Sequence, residues 1–400
     1  MPDGDAVTVK ITNRIAEVSA AEWDACAGDD NPFVSHGFLD VLEESGSADE
    51  GSGWLPQHLL VEDADGHLIG AVPCYLKNHS YGEYVFDWGW ADAFQRAGGE
   101  YYPKLQVSVP FTPVTGPRLL VRPGPQQQAT RKILVAGLLE LAQQRKVSSL
   151  HITFCEKEEQ ELLVGEQFLE RLGKQFHWHN RGYETFDDFL ATLTSRKRKS
   201  IRKERQVANE HVTFDILTGD ALKEEHMQAF YGFYLNTVEK KWAHAYLEAN
   251  FFTLLRERLA DKIVLIMASH DGEYVGAALN MRGAHTLYGR NWGCNARFRM
   301  LYFEACFYQA IDYAIQNGLS KVEAGAQGPH KISRGYLPSE TYSAHWIRDA
   351  NFRDAIAEYL VREERETRFE MDMLEDERSP YRSGALSTPV KTVPGSKTIP

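Results

Sequence analysis

The sequence predicts a mixed α/β protein built from two units with the same order of elements. An Asp-Gly pair lies between alternating apolar runs once in each half, and such a pair favours a tight hairpin because glycine tolerates a positive φ. Each turn is followed at a similar spacing by an apolar-Gly-Ala triplet and then by a Trp-Gly pair. The matched positions are Asp65-Gly66, Ile69–Ala71 and Trp88-Gly89 in the first half, and Asp271-Gly272, Val275–Ala277 and Trp292-Gly293 in the second. Two hairpins with matched continuations indicate an internal repeat.

The first unit is predicted to span residues 1–180, with a segment of about residues 90–128 inserted after its third hairpin strand. Its apolar spacing predicts a strand, two short helices, three antiparallel strands, a helix and a closing strand. In order, these are strand Val7–Ile11, helices Ala20–Ala27 and Ser35–Glu44, strands Gln57–Glu62, Leu68–Lys77 and Glu83–Trp88, helix Ala129–Lys146 and strand Ser149–Phe154.

The second unit is predicted to span residues 181–376 and repeats that order. Gly318 is expected to end its last helix, since glycine is the usual residue just beyond a helix C-terminus. The predicted elements are strand Val212–Leu217, helices Glu225–Trp242 and Leu247–Leu259, strands Ile263–His270, Glu273–Arg282 and Thr286–Trp292, helix Tyr302–Asn317 and strand Lys321–Ala324. A helix that joins two parallel strands closes each unit. The tail 377–400 is rich in Ser, Thr, Pro and Gly, which predicts disorder.

The composition is typical of a soluble globular protein. The chain has 400 residues, of which 43% are apolar, and a net charge of −12, so non-specific binding to nucleic acid by the whole surface is disfavoured and no DNA partner is expected. Five scattered cysteines without a CxxC pair indicate reduced thiols. No leader segment and no apolar run of about 18 residues is present. These features predict a cytoplasmic protein without a membrane span.

The stretch EAGAQGPHKISRGYLP (323–338) carries the densest group of candidate site residues. Ligands of open α/β sheets bind beyond the carboxyl ends of strands, and glycines there let a ligand approach the backbone. His330 could act as a base toward an amine, because its usual pKa lies near neutral pH. The expected substrate-binding residues are Gly325, Gln327, Gly328, Lys331 and Arg334. The competing interpretation is a solvated loop with a glycine cap.

A second candidate is the run SRKRKSIRKER (195–205), with seven basic residues in eleven. Arg198, Arg202 and Arg205 share one face of a predicted helix, and Ile201 points toward the core. The run is either a solvated helix surface or a clamp for the phosphates of a nucleotide-linked precursor or a tRNA. It lacks interleaved aromatic residues, so phosphate contact is favoured over base recognition.

Four motifs carry a resemblance to a known family. They are FTPVTGPRLL (111–120), SRKRKSIRKER (195–205), FEACFYQAIDYAI (303–315) and GAQGPHKISRGYLP (325–338). With them the chain resembles the FemAB-like N-acyltransferases, the group labelled peptidoglycan biosynthesis/recognition. The element order is similar to that of the GNAT acyltransferase fold, which implies two tandem GNAT-like units.

The resemblance implies transfer of an acyl group from acyl-CoA, or of an aminoacyl group from aminoacyl-tRNA, to an amine acceptor. The acceptor would be a peptidoglycan precursor or an amino-acid-like metabolite, and the second unit would be the active one. Glu323 would serve as the base, and Tyr336 or Tyr288 would protonate the leaving group.

For the donor, the resemblance implies a diphosphate site formed by Trp292, Gly293, Arg297 and Arg299. GNAT enzymes hold the CoA diphosphate there in a Gly-rich loop, whereas GCNARFRMLYFE (293–304) has a single glycine. This departure favours an alternative class: a non-catalytic module that recognises a phosphorylated cell-wall precursor.

Other chemistries find no support in the sequence. It contains no G-x-S-x-G, no Walker loop and no paired-glycine dinucleotide fingerprint, which argues against hydrolase, NTPase and dehydrogenase functions. His177 and His179 would share one face of a strand, but no third zinc ligand is evident. No metal is therefore expected, and the oligomeric state is not indicated.

Overall fold

A computed structural model of the chain describes residues 7–240, 245–325 and 328–387. These residues form two compact units, each made of more than one segment. The first unit comprises Met1–Gly173, Tyr246–Phe251 and Glu340–Arg368, and the second comprises Lys174–Ala245, Phe252–Ser339 and Phe369–Pro400. This division differs from the predicted contiguous halves of 1–180 and 181–376.

The elements up to residue 179 follow the predicted order closely, with the differences described below. They are β1 Thr8–Thr12, α1 Ala20–Ala27, α2 His36–Glu44, β2 Leu55–Pro56, β3 His58–Glu62, β4 Leu68–Val72, β5 Cys74–Lys77, α3 Trp88–Arg96, β6 Lys104–Val107, β7 Leu120–Val121, α4 Gln127–Gln144, β8 Ser149–Cys155, α5 Lys157–Gly165 and β9 Leu169–His179.

Among the remaining elements, those that were predicted occur in the predicted order, and some are additional. The elements in this part of the chain are α6 Phe186–Thr192, α7 Ser195–Asn209, β10 Thr213–Leu217, α8 Glu224–Lys240, α9 Ala249–Leu259, β11 Ile263–His270, β12 Glu273–Arg282, β13 Thr286–Cys294, α10 Leu301–Phe303, α11 Gln309–Gln316, β14 Lys321–Glu323, β15 Leu337–Ile347 and α12 Ala350–Arg378. The additional ones are α6, β15 and α12. A π-helical turn, Glu304–Tyr308, joins α10 to α11. Trp242, the predicted end of α8, lies outside the described residues.

Both predicted Asp-Gly hairpins are confirmed. Gly66 and Gly272 have φ values of 83° and 82°, and they connect the antiparallel pairs β3–β4 and β11–β12. Only glycine adopts this left-handed conformation without steric cost. The Asp-Gly pair therefore determines where each chain reversal occurs.

The first unit contains two sheets because the chain changes sheet at Pro73. β4 pairs with β3 and β7, in the order β1-β3-β4-β7, whereas β5 pairs with β2 and β6. Proline has no N–H to donate to a ladder, so a strand is readily interrupted there. The second sheet continues from β6 to the parallel strand β8 and then to antiparallel β15. The pairing of β15 with β8 brings residues beyond Glu340 into the first unit.

The predicted strand Glu83–Trp88 is wrong. Gly82 and Tyr84 have φ values of 82° and 62°, which break an extended run, and Trp88 begins helix α3. The third strand of this sheet is β6, which lies inside the predicted insertion. The two Trp-Gly pairs of the repeat therefore occupy different secondary structures.

The described strands of the second unit are antiparallel neighbours except for the parallel pair β13 and β14. β10, β11, β12 and β13 are antiparallel neighbours, and β14 pairs with β13 on one side and with antiparallel β9 on the other. The helical segment α10–α11 connects the parallel pair, as α4 connects β6 to β8 in the first unit. Both units thus share the predicted crossover from an antiparallel meander to a parallel strand.

The start of the predicted disordered tail is ordered. Helix α12 begins in the first unit, enters the second unit at Phe369 and ends at Arg378. Tyr381 is buried in the core there, and its hydroxyl donates to the carbonyl oxygen of Gly335 at 2.8 Å. Residues 388–400 lie outside the described residues. Within the described ranges, no helix has both the length and the apolarity needed to cross a membrane.

Helix α8 packs directly on β13 because Gly293 has no side chain. A methyl group at Gly293 would lie 2.3 Å from the backbone carbon and oxygen of Phe233 in α8. Backbone atoms cannot move aside as a flexible side chain can. The helix and the strand can approach this closely only with glycine at that position.

Gly293→Ala should therefore destabilise the protein by about 2–3 kcal/mol, since overpacking against backbone forces the helix away from the sheet. Gly232→Ala in the same helix is the matched control. Gly232 is exposed with free space around its Cα, so alanine should raise the free energy of unfolding by about 0.8–1 kcal/mol through helix propensity. Urea denaturation of both variants measures these changes. Equal stability of the two variants would contradict the packing role of Gly293.

Candidate functional site

The candidate site lies where strands β13 and β14 of the second unit stop pairing. Their parallel register ends with Tyr288 opposite Glu323, while β13 continues to Cys294. The chain leaves β14 through Gly325, which has a φ of 78°, and reaches a 3-10 turn at Pro329–Arg334. Two parallel strands that part at this end open a space for a ligand.

Lys331 is the predicted site residue with the most unusual environment. Its side chain is 1% exposed, and its Nζ donates to the carbonyl oxygen of Gly325 at 2.7 Å. In the part of the chain that the structure describes, no carboxylate pairs with this ammonium. Burial lowers the pKa of Lys331 to about 8, because the charge loses hydration without gaining a counterion. The charged and neutral forms of this amine therefore interconvert near physiological pH.

His330 lies on the outer side of the same turn. The residue is exposed, and its ring contacts the rings of Phe303 and Phe307 at centroid distances of 5.9 and 5.8 Å. It lines a cavity of about 610 Å³ beside the first residues of α7. Partial desolvation, and then the charges of Arg334 and Lys331, lower the pKa of His330. The imidazole is therefore neutral at pH 7, and its role as a base stays a prediction.

Arg334 is buried and its charge is already compensated. Its Nη2 donates to Glu204 Oε2 at 2.9 Å, its Nη1 donates to the carbonyl oxygen of His330 at 2.9 Å, and its guanidinium lies 3.4 Å from the centre of the Phe303 ring. Tyr308 also donates its hydroxyl to Glu204. These contacts hold the 3-10 turn in place, which favours a structural role for Arg334 over ligand binding.

Glu323 and Tyr336, the predicted acid–base residues, are both enclosed. Lys321 Nζ lies 2.6 Å from Glu323 Oε1, and His177 faces the same carboxylate at 4.0 Å. Tyr336 donates to the carbonyl oxygen of Phe307 at 3.4 Å, and burial raises its pKa well above the usual value. Glu323 is therefore a buried carboxylate paired with Lys321, and Tyr336 is a buried phenol in the core. Neither side chain lies on the exposed side of the turn.

The π-helical turn Glu304–Tyr308 contributes a second ion pair to this part of the unit. Glu304, its first residue, is fully buried and accepts three hydrogen bonds from Arg205, at 3.1, 3.3 and 3.0 Å. Isolated π-turns within α-helices often occur at functional sites. Cys306 in this turn is close enough to Lys331 for their charges to interact. The sequence shows Glu304 and Cys306 only as members of an apolar helical pattern.

The arginines of the basic helix α7 have different partners. Arg205 binds Glu304, and Arg202 pairs on the surface with Asp187 at 2.8 Å. Arg198 is half-buried in the first half of the helix. The sequence analysis did not identify Glu204 as a site residue. Its position as the one acidic residue in the basic run SRKRKSIRKER could have indicated a role. Glu204 is the counterion that binds Arg334.

The segment that follows β13, residues 295–300, is not a Gly-rich loop of the kind that binds a diphosphate. Phe298 packs on the ring of His270 at 4.8 Å, and Met300 adopts a φ of 63° immediately before α10. Trp292 contacts Tyr302 at a ring distance of 5.8 Å. Bulky side chains therefore occupy the place where a Gly-rich loop would approach a phosphate.

Arg297 and Arg299 remain exposed beside that segment. Together with Lys203 of α7 they line a groove of about 540 Å³. Neither arginine has an ion-pair partner among the described residues. The structure thus brings the predicted donor-binding arginines next to the basic helix, in a groove that Glu204 and Glu210 also line.

The remaining predictions concern Gln327 and Gly328 before the turn and the two histidines of strand β9. Gln327 lies outside the described residues, while Gly328 has a φ of 117° just before the 3-10 turn. His177 and His179 are neighbours on β9 with ring centres 6.3 Å apart. The described residues contain no group of three or more metal-ligating side chains, and the expectation of no metal stays a prediction.

Lys331 should make the stability of the protein depend on pH in a characteristic way. Between pH 8 and the usual lysine pKa of about 10.5, the folded chain has lost the Lys331 proton that the unfolded chain still holds. The free energy of unfolding should therefore rise over this interval, by up to about 3 kcal/mol. Lys331→Met should lack this rise, which urea denaturation from pH 7 to 10 would measure. Parallel stability curves for the two proteins would contradict an uncompensated buried ammonium.

Solved structures with similar architecture show how these elements are arranged in other proteins. FemX aligns with a TM-score of 0.54 at 12% identity, over 85% of this chain and 98% of its own. The C-terminal domain of a protein assigned as a lysylphosphatidylglycerol synthetase in Agrobacterium fabrum aligns with a TM-score of 0.53 at 9% identity, over 87% and 96%. A tandem GNAT protein from the clavulanic acid pathway aligns at 11% identity, over 86% and 98%, with a TM-score of 0.45. At such identities these similarities bear on the fold alone.

The family comparison covers most of the chain. No curated protein matches it at a significant level. The FemAB-like family, described as peptidoglycan biosynthesis/recognition, matches residues 14–383. The predicted resemblance to this family and the predicted mixed α/β fold are confirmed. With a match that includes both units and the Lys331 turn, the chain belongs to the FemAB-like family.

Proposed function

We propose that the second unit catalyses transfer of an aminoacyl or acyl group to an amine of a peptidoglycan precursor. The observation that carries this proposal is Lys331, a buried ammonium without a carboxylate partner among the described residues. Burying an uncompensated charge is costly, and lysines with lowered pKa values occur where chemistry requires them. The position of this lysine, where β13 and β14 part, is the place at which an α/β sheet binds its ligand.

The proposed reaction is direct attack without a covalent enzyme intermediate. The neutral acceptor amine attacks the donor carbonyl carbon, and the carbonyl oxygen becomes negatively charged in the tetrahedral intermediate. The Lys331 ammonium stabilises this oxygen. The bond from carbon to the leaving oxygen or sulfur then breaks, and the proton lost by the amine passes to that leaving atom. The protein contributes alignment of the two substrates and charge stabilisation.

Aminoacyl-tRNA is the donor that the residues favour over acyl-CoA. Phe298 and Met300 fill the segment where a CoA diphosphate would need glycines. Arg297, Arg299 and Lys203 line an open groove suited to a longer phosphate backbone. A cytoplasmic location, where charged tRNA and nucleotide-linked precursors occur, is part of the same proposal.

A non-catalytic module that recognises a phosphorylated precursor is the second candidate. The same glycine-poor segment supports it, because a chain that has lost donor binding could keep the acceptor site. The two candidates differ in one outcome: the module binds the precursor but forms no new amide bond from any donor. Incubation with charged tRNA or a series of acyl-CoAs, followed by mass spectrometry of the precursor, distinguishes them.

Lys331→Ala should lower the transfer rate by about 10²–10³-fold, the usual cost of removing one group that stabilises an oxyanion. Lys331→Arg should retain part of the activity, since the positive charge persists. Lys262→Ala serves as the control, because Lys262 is a partly exposed lysine of the second unit that pairs with Asp261, and its rate should change little. The measurement is single-turnover transfer of a radiolabelled amino acid. Full activity of Lys331→Ala would overturn the catalytic assignment.

Arg297→Ala and Arg299→Ala should weaken binding of tRNA and flatten its dependence on salt. Each lost phosphate contact should reduce the slope of log affinity against log salt concentration by about 0.7–0.9. Arg202→Ala is the matched control: it also removes a cation near this surface, but its guanidinium is already paired with Asp187. Filter binding with uncharged tRNA at several salt concentrations gives the slopes. Identical slopes for all variants would remove tRNA as the partner of this groove.

A further inference from the structure

The first unit carries a cluster of exposed aromatic side chains that the proposed reaction does not use. Tyr81, Phe86 and Trp88 are 66%, 46% and 48% exposed. The rings of Phe86 and Trp88 are stacked with centres 4.9 Å apart, and Tyr81 lies 6.0 Å from Trp88. We call these three residues the aromatic ledge. Contiguous exposed apolar surface of this kind usually marks a binding site.

A groove of about 310 Å³ runs beside the ledge. Phe86 belongs to both, Trp90 and Ile356 form part of its lining, and Tyr359 is an exposed residue on its far side. All of these residues belong to the first unit. The ledge and the groove therefore form one continuous surface with room for a small ring-shaped ligand.

Buried charges hold the ledge rigid. Asp87, between Phe86 and Trp88, is buried and accepts hydrogen bonds from Lys104 Nζ at 2.5 Å and from the Tyr101 hydroxyl at 2.7 Å. Asp87 is buried, whereas its two neighbours are exposed. The buried ion pair therefore holds the backbone that carries both rings, and a surface held in this way loses less conformational freedom on binding.

The surface is uncharged even though polar groups surround it. Arg171, on the groove, donates to both carboxylate oxygens of Glu363 at 2.8 Å and to the carbonyl oxygen of Phe86 at 2.9 Å. Asp92 and Arg96 of α3 pair with each other at 3.1 Å. Compensated charges give no attraction for nucleic acid or for anionic lipid, both of which require unpaired cations.

We propose that the aromatic ledge and its groove bind a pyranose ring of a neutral glycan chain. A sugar ring presents flat C–H faces that stack on aromatic rings and hydroxyl groups at its edge for polar neighbours. The stacked rings of Phe86 and Trp88 provide a face for the C–H groups, and Arg171 and Tyr359 line the groove with polar groups. The surface therefore offers both kinds of contact. This surface goes beyond the proposed transfer reaction, because it would recognise the carbohydrate part of cell-wall material whichever donor is used.

Titration calorimetry with chitotetraose, an oligomer of N-acetylglucosamine, tests the proposal. The full chain should bind it saturably, and Trp88→Ala should weaken binding about tenfold through loss of one stacking surface. Tyr81→Ala should also weaken it. Phe369→Ala is the matched control, since Phe369 is as exposed as Tyr81 at 66% but lies in the second unit, and it should bind like the unmodified protein.

Three outcomes would overturn the proposal. They are no binding of chitotetraose by the unmodified chain, equal binding by Trp88→Ala, or binding to phosphatidylcholine vesicles that depends on Trp88 without any binding of the sugar. Circular dichroism of each variant verifies folding. The experiment is independent of the transfer reaction, because Lys331→Ala should lose transfer and keep sugar binding. A failure of one assignment is therefore distinguishable from a failure of the other.

Discussion

The ion pairs between helix α7 and the elements around Lys331 are the interactions on which the candidate site depends. Arg205 binds the buried Glu304 of the π-turn, and Glu204 binds Arg334 of the 3-10 turn. Removing one partner of such a pair would leave an unpaired buried charge, at a cost of about 3–5 kcal/mol. The helix therefore connects the π-turn and the 3-10 turn to one element. The hydrogen bond from Lys331 Nζ to the carbonyl oxygen of Gly325 adds a further contact within the 3-10 turn region.

Two buried lysines illustrate how context sets the role of one residue type. Lys104 in the first unit lies between Glu83 and Asp87, at 2.7 and 2.5 Å. Burial alone would lower its pKa, but the two carboxylates raise it instead, so this lysine is a permanent cation that stabilises its surroundings. Lys331 has only a carbonyl oxygen as its acceptor, and burial dominates its pKa. The carboxylates beside Lys104 keep it charged, whereas Lys331, without a carboxylate partner among the described residues, has a lowered pKa.

Local sequence patterns predicted most of the helices and strands and the segment that holds the candidate site residues. They did not predict which distant residues pair with one another. The Asp-Gly turns and the apolar spacing of β11, β12 and α11 act over short stretches, and these elements form as expected. The pairing of β15 with β8 joins residues nearly two hundred positions apart, and no local signal reports it. Likewise, His330 and Arg334 were predicted to follow strand β14, and both lie on the 3-10 turn after it. The ion pair of Arg334 with Glu204 joins residues 130 positions apart, and no local signal reports it.

The divergence of the two Trp-Gly pairs suggests how the units acquired different roles. In the second unit Gly293 admits helix α8 against β13, and Trp292 packs beside Tyr302, so the pair completes a core. In the first unit the left-handed Tyr84 takes the chain out of the sheet before Trp88, and the anchoring of Asp87 leaves Trp88 exposed. An exposed tryptophan is unfavourable unless a partner covers it. The same Trp-Gly pair therefore contributes to packing in the second unit, whereas in the first unit its tryptophan is exposed and forms part of the proposed sugar-binding surface.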